Sequence, residues 1–456
     1  MAETTNQIAV DGDKLDFKRI LPIFVIVLVD LLGLTIIIPL LPLYAASFGA
    51  TPFTIGLVGA AYPLMQLIGG PLLGSLSDRY GRKPVLIVSQ IGTFIGFLLL
   101  GFANALPLLF LARILDGLSG GNIVAAQAAI ADSTNDRTRA QGLGLIGAAF
   151  GLGFTLGPAI AGISLALSGN NYHVPAFVAA AFSLASILLT TFWFKETRPE
   201  RDTNYVSSSA KGNIVQKIAR ALSNPAIGML LVLIFMQQLV FGGYENLIPL
   251  FTLSRLGLNG IGNAVLFVFV GVIIVLVQGK YIGPWSRKYG ERKLIYVGLG
   301  LLSLGLILTA LTPRQPVSWY SQADTVAEFS TDQDGNAQKL EVSLPADGNK
   351  GWLGLAWMLA ALIPATIGGG LLSPSINSLI TRRTPAAEVG GTLGVSAALV
   401  SAANALTPVI GGAIFQFLGV SAPFLIGGVI LAALLILALQ RITPGAEEQR
   451  SPAPAQ

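Results

Sequence analysis

The chain has 456 residues, of which 53% are hydrophobic and only 11% are charged. Water-soluble domains carry about 25% charged residues, so this composition excludes a soluble enzyme, and its hydrophobicity excludes a disordered chain. The lack of Cys and the single His, His173, exclude disulfides, thiolate metal sites and a zinc site built on several His residues. We therefore predict a membrane protein with no cofactor and no metal.

Twelve apolar stretches are long enough to cross a bilayer, which requires roughly 20 residues per helix. The predicted spans, numbered 1 to 12 in chain order, cover residues 19–43, 54–76, 84–103, 107–131, 141–166, 174–194, 225–251, 260–283, 293–312, 352–379, 389–416 and 421–441. The first stretch exceeds the core of a signal peptide, about 7 to 15 residues, so we expect it to be retained. The pattern predicts an all-α membrane protein.

Basic residues are concentrated on one side of the predicted membrane. With both termini in the cytoplasm, 23 of the 28 Lys and Arg residues lie on that side, four lie on the other, and Arg113 lies within predicted span 4. The positive-inside rule then predicts a multi-pass protein of the inner or plasma membrane with cytoplasmic termini. The net charge of +5 thus reflects topology, and no nucleic-acid partner is needed to explain it.

The two halves of the chain repeat one another. Gly74–Leu86 (GSLSDRYGRKPVL) matches Gly283–Ile295 (GPWSRKYGERKLI) at an offset of 209, and Gly157–Gly162 (GPAIAG) matches Thr407–Gly412 (TPVIGG) at an offset of 250. The larger second offset reflects a polar insertion at Pro313–Gly351. Six-helix repeats of this kind are typical of alternating-access transporters, with the substrate site between the halves.

The insertion is expected to be a solvated extracytoplasmic loop without a role in transport. The predicted segments are a cytoplasmic tail (1–18), a six-helix half (19–194), a cytoplasmic loop (195–224), a second half (225–441) containing the insertion (313–351), and a cytoplasmic tail (442–456).

Gly74–Leu86 resembles the signature loop of the major facilitator superfamily, G-x-L-x-D-R-x-G-R-[KR]-x-x-[LI], without a gap. Asp30–Pro42 (DLLGLTIIIPLLP), Arg113–Gly121 (RILDGLSGG) and Gly151–Gly162 (GLGFTLGPAIAG) resemble the twelve-helix drug:proton antiporters, and are most similar to tetracycline efflux proteins. The resemblance implies the major facilitator fold and proton-coupled efflux.

The sequence departs from this pattern at two places. The second-half loop has Arg287 where the first has Asp78, so only one copy keeps the acid. Span 4 has Asp116 before Gly117, where the family more often has a neutral residue, so no role is carried over to Asp116.

The signature loop supplies the candidate gating residues. Asp78 can face the positive end of another helix only when the cytoplasmic side is closed. It would then favour the outward-facing state, which is the role that the resemblance implies. Asp132 is a candidate partner for Arg82. The alternative is a basic turn that only sets topology. The gating candidates are Gly74, Asp78, Arg79, Gly81, Arg82, Lys83 and Asp132.

Charged residues at the centre of a span cost about 2.5 to 3.5 kcal/mol on the insertion scale, so each one calls for a reason. Asp30 lies about 17 Å along predicted span 1, near the midplane, where a carboxyl can take up and release a proton. Arg113 and Asp116 share a helix face. Either they form a static internal ion pair, or Arg113 faces span 1 and partners Asp30. These three residues are the proton-coupling candidates.

Polar residues within the spans are candidates for substrate binding. Glu245 either binds a cationic substrate or carries a proton; alternatively it is a water-exposed acid near the outer surface. The amide side chains either line a cavity or form hydrogen bonds between helices. The substrate-binding candidates are Gln66, Gln127, Gln237, Gln238, Glu245 and Asn377. Rings that form a pocket or face lipid include Phe150, Phe154, Phe235, Phe241 and Tyr244.

Predicted span 5 is rich in glycine. Gly151, Gly157 and Pro158 are candidate hinge residues, because small residues allow close approach and Pro removes a backbone hydrogen bond. The alternative is ordinary tight packing.

These observations predict a secondary transporter, not an enzyme, that exports a small amphipathic or drug-like compound in exchange for protons. No G-x-x-x-x-G-K-[ST] loop occurs, so ATP is not the expected energy source. The alternatives are a proton-coupled importer of a sugar or organic anion, and a membrane sensor or embedded enzyme that transports nothing. The expected partners are the substrate, protons and the bilayer, and we expect a functional monomer.

Overall fold

A computed structural model describes residues 16–135, 138–198, 214–330, 340–385 and 388–442. Most of the two predicted tails and half of the predicted central loop lie outside these residues. The described chain contains helices and no strands, and twelve of its helices are long and apolar enough to cross a membrane. The predicted number of spans and the all-α class are confirmed. Spans 1 to 12 are Phe17–Ala46, Pro52–Tyr80, Arg82–Gly101, Leu106–Asp132, Gln141–Ser168, His173–Phe192, Gly228–Leu256, Gly260–Tyr289, Glu291–Ala310, Leu353–Arg383, Val389–Leu418 and Ala422–Arg441.

Spans 1 and 4 are interrupted, and each interruption has a local cause. Span 1 consists of helices Phe17–Ile37 and Leu41–Ala46, and the break contains Pro39, which has no N–H to donate. Span 4 consists of helices Leu106–Ser119 and Asn122–Asp132, separated by two glycines. Glycine is a poor helix former, so this pair is a natural place for the helix to stop and restart.

In the described residues, two short α-helices and the 3-10 helix Asp347–Asn349 lie outside the spans. Ile214–Leu222 belongs to the segment that joins the halves, and Gln322–Ser330 belongs to the insertion between spans 9 and 10. We call the latter the insertion helix.

The repeat in the sequence is also a repeat in the packing. Span 1 packs on span 5 as span 7 packs on span 11, and span 3 packs on span 6 as span 9 packs on span 12. Between the halves, span 2 packs on span 11 and span 8 packs on span 5. These two contacts are equivalent when the halves are exchanged.

The halves touch on the face of the bundle that carries the insertion, which we call the insertion face. A Cβ added at Gly56 of span 2 would lie 2.2 Å from the carbonyl oxygen of Pro408 in span 11, so the two backbones are in contact there. The backbone N–H of Phe53 donates to Oε1 of Gln416 at 3.0 Å, from one half to the other. The insertion face is therefore closed.

The halves separate on the opposite face, where span 1 begins and span 12 ends; we call it the terminal face. Positions of span 5 and span 8 near this face have no described atom within 4 Å of an added Cβ; they are Gly144, Gly147, Gly279 and Gly283. The same two spans are tightly packed further up, where a Cβ at Gly271 would lie 2.8 Å from Cα of Thr155. The molecule is therefore open on the terminal face.

Candidate functional site

A cavity of about 280 Å³ lies between the halves, lined by spans 5, 7, 8 and 10. Its wall is mainly aromatic and aliphatic, and it includes the rings of Phe150, Phe154, Phe241, Tyr244 and Phe267. At its edge nearest the terminal face it reaches Gly147 and Gln278, next to the open region. Four of the five predicted pocket rings line this cavity; Phe235 does not.

Glu245 is the acidic side chain in the cavity wall. Span 7 places it there because Gly243, two residues earlier, packs on the side chain of Thr407 in span 11, with a Cβ position 3.3 Å away. Two residues correspond to about 200° around a helix, so Glu245 points away from span 11. Within the described residues, no hydrogen bond or ion pair reaches its carboxylate. A lone carboxylate in an apolar wall is suited to a cationic or hydrogen-bond-donating ligand.

The amide side chains predicted to bind substrate do not line this cavity. Gln66 donates to the carbonyl of Gly120 at 3.0 Å, and Gln238 donates to Oδ1 of Asn404 at 2.8 Å. Asn377 accepts a hydrogen bond from the hydroxyl of Ser396 at 3.0 Å. These bonds tie helices together, which is the alternative that the sequence left open.

The remaining two amides differ from these. Gln237 is buried, and in the described chain its Oε1 has no hydrogen-bond partner. Gln127 is exposed. Gln278, which does line the cavity, was not predicted. The sequence feature that could have identified it is its position as an isolated amide at the end of the apolar run VLFVFVGVIIVLV in span 8.

Asp30 lies in a buried polar cluster of the first half. The side-chain amide of Asn122 donates a hydrogen bond to its Oδ2. Its Oδ1 is buried and has no hydrogen-bond partner in the described chain. Asn122 was not among the candidates, although an amide directly after the two glycines of span 4 could have pointed to it: the helix break delivers this side chain to span 1.

Arg113 and Asp116 form the ion pair in this cluster. Arg113 Nη1 lies 2.8 Å from Asp116 Oδ2, and both side chains are buried. The Arg113 guanidinium also lies 4.6 Å from the centroid of the Tyr62 ring. The hypothesis that Arg113 partners Asp30 is therefore wrong for this conformation, because the guanidinium pairs through Nη1 with Asp116, three positions along the same helix, while its buried Nε has no hydrogen-bond partner in the described chain. Asp116 is close enough to Asp30 to interact with it electrostatically.

The signature loop connects spans 2 and 3 on the terminal face. Arg82 is central: its Nε lies 2.8 Å from Asp132 Oδ2 and its Nη1 lies 2.5 Å from Asp78 Oδ1. The Asp78 side chain is 65% exposed and, in the described chain, is bonded only within its own loop. Gly74 packs on Val124, with a Cβ position 3.4 Å from its side chain. This loop is therefore held to span 4 while its acid faces open space.

Glu196, just after span 6, holds the start of span 3. Its carboxylate accepts the backbone N–H groups of Arg82 and Lys83, each at 3.0 Å. Partial burial acts to raise the pKa of Glu196, but the backbone N–H groups outweigh it and lower the pKa below its ordinary value. Gly81 makes room for this contact: its φ is +107°, and a Cβ would lie 2.6 Å from Glu196 Oε2.

The remaining two basic gating candidates are also engaged. Lys83 Nζ donates to the carbonyl of Thr191 at 2.8 Å, and the Arg79 guanidinium lies 5.3 Å from the centroid of the Tyr80 ring.

The second half carries the same bridge with its charges exchanged. Arg82 corresponds to Glu291 at the offset of 209, and Asp132 corresponds to Arg382 at the offset of 250. Arg382 Nη2 lies 2.7 Å from Glu291 Oε1, and the hydroxyl of Ser378 donates to the same oxygen at 3.1 Å. The loop between spans 8 and 9 is thus fastened to span 10 in the way that the first loop is fastened to span 4.

The glycines of span 5 serve different contacts. A Cβ at Gly157 would lie 2.2 Å from Oγ1 of Thr35, so span 5 packs directly on span 1 there. Gly151 borders the cavity, with a Cβ position 3.8 Å from Val275 of the other half. Pro158 lies inside the helix. Tight packing accounts for Gly157, while Gly151 lies where span 5 faces span 8.

Comparison with known proteins agrees with this architecture. The family model described as Major Facilitator Superfamily matches residues 23–323 and 351–456, on either side of a gap within the insertion. The chain is 28% identical over 397 residues to the class B tetracycline resistance protein of Escherichia coli, covering 86% of this chain and 87% of that protein. It is 28% identical over 283 residues to multidrug resistance protein 2 of Bacillus subtilis (strain 168), covering 61% and 70% of the two chains.

A solved structure shares the fold. The crystal structure of the human organic anion transporter MFSD10 (TETRAN) superposes with a TM-score of 0.62 at 21% sequence identity, covering 93% of this chain and all of that one. The twelve spans, the repeated halves and the match along the chain lead to one conclusion: this multi-pass membrane protein belongs to the major facilitator superfamily and is a transporter.

Proposed function

We propose that this transporter exports a small amphipathic, cationic compound of drug-like character in exchange for protons. The observation that carries the proposal is the aromatic cavity between the halves, with the single carboxylate of Glu245 in its wall. Its volume of about 280 Å³ is near the lower end of the range for small-molecule sites, roughly 300 to 1,000 Å³. The cavity would accept the apolar body of the ligand, and Glu245 would pair with its charge.

The same acid argues against the predicted alternative of organic-anion import. An anion in this cavity would meet the like charge of Glu245, and the described residues of the wall include no basic side chain to offset it. The similarity to tetracycline and multidrug resistance proteins supports export of a drug-like compound.

Asp30 is our candidate for the proton carrier. In the described chain its Oδ2 accepts a hydrogen bond from the neutral side-chain amide of Asn122, and its Oδ1 has no hydrogen-bond partner. The cation in the same cluster, Arg113, is already paired with Asp116. A proton can therefore bind to or leave Asp30 without breaking an ion pair, which suits a group that must change its charge in each cycle.

We assign the terminal face to the cytoplasm, following the distribution of Lys and Arg. The structure then corresponds to an inward-facing state, in which the cavity loads from the cytoplasm. Asp78, which is exposed here, would meet the other half only when this face closes. Because both halves that form the cavity belong to one chain, we propose that a monomer is sufficient for transport.

A dye accumulation assay tests the proposal. Cells that express the protein should accumulate less ethidium, a lipophilic cation, than control cells, and an uncoupler should abolish the difference. Glu245→Gln should raise the apparent KM for ethidium by about tenfold, the equivalent of 1.4 kcal/mol. Asp324→Asn, which neutralises an exposed acid of the insertion helix, serves as the control. Equal accumulation of both ethidium and tetracycline with and without the protein would overturn the proposal.

A further inference from the structure

The extracytoplasmic insertion makes contacts that the sequence did not predict. Its first segment is fastened to the second half: the backbone N–H of Val317 donates to the carbonyl of Leu256 at 3.0 Å, at the end of span 7. The ring of Tyr320 covers Gly257, whose φ is +67° and where a Cβ would lie 2.1 Å from the ring. The hydroxyl of Tyr320 donates to the carbonyl of Pro345 at 2.9 Å, which closes the insertion on itself. The insertion must therefore move with the second half.

The insertion helix reaches the first half through Glu328. Its carboxylate accepts hydrogen bonds from the hydroxyl of Tyr172 at 3.0 Å and from the side-chain amide of Asn170 at 3.3 Å. Both donors lie between spans 5 and 6. The side-chain amide of Asn259, between spans 7 and 8 of the second half, donates to the same carboxylate at 3.4 Å. Glu328 thus lies at a junction of the two halves.

The next residue reinforces this junction. Phe329 is 1% exposed, and its ring centroid lies 6.1 Å from that of Tyr172. The Tyr172 ring also stacks on the Tyr44 ring, with the centroids 5.9 Å apart. Burial raises the pKa of Glu328, although its three hydrogen-bond donors act to lower it. A partly buried acid with three polar partners and an adjacent buried ring indicates a built contact and not a solvated loop.

We propose that the insertion is a latch that holds the insertion face closed, and that Glu328 is the residue through which it grips the first half. Because the insertion is fastened to the second half, separation of the halves on this face must break the bonds from Glu328 to Tyr172 and Asn170. The latch therefore favours the state that is open on the terminal face. This inference rests on alternating access, and it does not depend on the transported compound or on proton coupling.

The natural lack of Cys allows a direct test. Ile55→Cys places a reporter in span 2, at a buried position beside Gly56 and Pro408, where spans 2 and 11 meet. Its side chain is buried and lines a small pocket with Asn246 and Pro408 of the second half, so we expect it to become more accessible when the halves separate on the insertion face. The rate of labelling by a maleimide is measured in nanodiscs, where both faces are accessible.

Glu328→Ala should raise the labelling rate of this reporter by about tenfold, the equivalent of about 1.4 kcal/mol, because it removes the acceptor of both hydrogen bonds from the first half. Tyr172→Phe removes the hydroxyl that donates to Glu328 and keeps the stacked ring, so it should also raise the rate. It carries the test by itself if Glu328→Ala does not fold. In the double variant, the labelling rate should rise by less than the product of the two separate fold-changes, because both changes break the same contact.

Asp324→Asn is the matched control, because it neutralises an exposed acid of the same helix for which no side-chain contact is found in the described chain. It should leave the labelling rate unchanged. An unchanged rate in the folded Glu328 and Tyr172 variants would overturn the latch, and so would an equal rise in the Asp324 control. Either result would leave the proposed export function untouched, since the assay contains no substrate and no gradient.

Discussion

The two buried acids of the first half allow one chemical change to be compared in two environments. Asp30 and Asp116 are 9% and 2% exposed, and each is replaced by Asn. In Asp30→Asn the partner is the neutral amide of Asn122, and two amides can still form a hydrogen bond. We therefore expect a loss of stability of no more than about 1 kcal/mol, the net worth of a typical hydrogen bond.

Asp116→Asn has a different cost, because it leaves the buried Arg113 without its counter-ion. Breaking a buried ion pair on one side costs about 3 to 5 kcal/mol. The Tyr62 ring under the guanidinium remains as a partial compensation, and a cation–π contact is worth up to about 2 kcal/mol when desolvated. We therefore take the lower end, about 3 kcal/mol. Arg113→Gln added to Asp116→Asn removes both charges and should recover part of this loss.

Stability is measured by unfolding in mixed detergent micelles, and transport in proteoliposomes. Asp30→Asn should fold like the unmodified protein and exchange substrate across the membrane without a gradient, yet it should not accumulate substrate when a pH gradient is applied. Asp116→Asn should unfold at a lower denaturant concentration than Asp30→Asn. Two results would contradict these expectations. One is that proteoliposomes with Asp30→Asn accumulate substrate at the rate of the unmodified protein, and the other is that Asp116→Asn is as stable as Asp30→Asn.

Further predictions concern the loops of the terminal face. Asp78→Asn should slow the transport cycle without weakening substrate binding, as measured by turnover and equilibrium binding; a change confined to affinity would contradict the gating role. Gly81→Ala should destabilise the folded protein by at least about 1 kcal/mol, because it forces a side chain into positive φ and into the Glu196 carboxylate; unfolding in detergent measures this, and an unchanged midpoint would refute it. The pKa of Glu196 is lowered on folding, so its contribution to the free energy of unfolding should be complete above the unfolded pKa of about 4.5. This contribution should be lost as the pH falls through the lower pKa of the folded state. Glu196→Gln should flatten the pH dependence of stability in this range, and an unaltered profile would count against the role of Glu196. Glu291→Gln should loosen the second loop by about 1 kcal/mol or more, since it weakens the bond to Arg382; hydrogen exchange at the start of span 9 should rise, and no change would argue against the bridge.

The exchanged charges of the two loops illustrate how far the repeat could be followed in the sequence. The offsets of 209 and 250 align Arg82 with Glu291 and Asp132 with Arg382, so the second bridge was within reach of the sequence. Matching residues of the same type at equivalent positions does not reveal it, because both members of the pair are exchanged. An ion pair keeps its energy when both charges are reversed, and only the pairing in space shows that the reversal is matched.

The contacts of the insertion, in contrast, could not be predicted from the sequence. Its polar composition and its position in a loop are those of a solvated segment, and nothing in the order of its residues indicates that Glu328 meets Tyr172, 156 positions earlier. Likewise, the helix pattern of span 4 does not reveal that Asn122 faces Asp30 after the break at two glycines.

The number of spans, their repeat and the signature loop follow from the sequence, because hydrophobic length and local motifs are properties of contiguous residues. The partner of each buried charge, the cavity wall around Glu245 and the closed insertion face were decided by the tertiary structure. Those contacts join residues far apart in the chain, and the rotation of each helix about its axis determines which side chains meet.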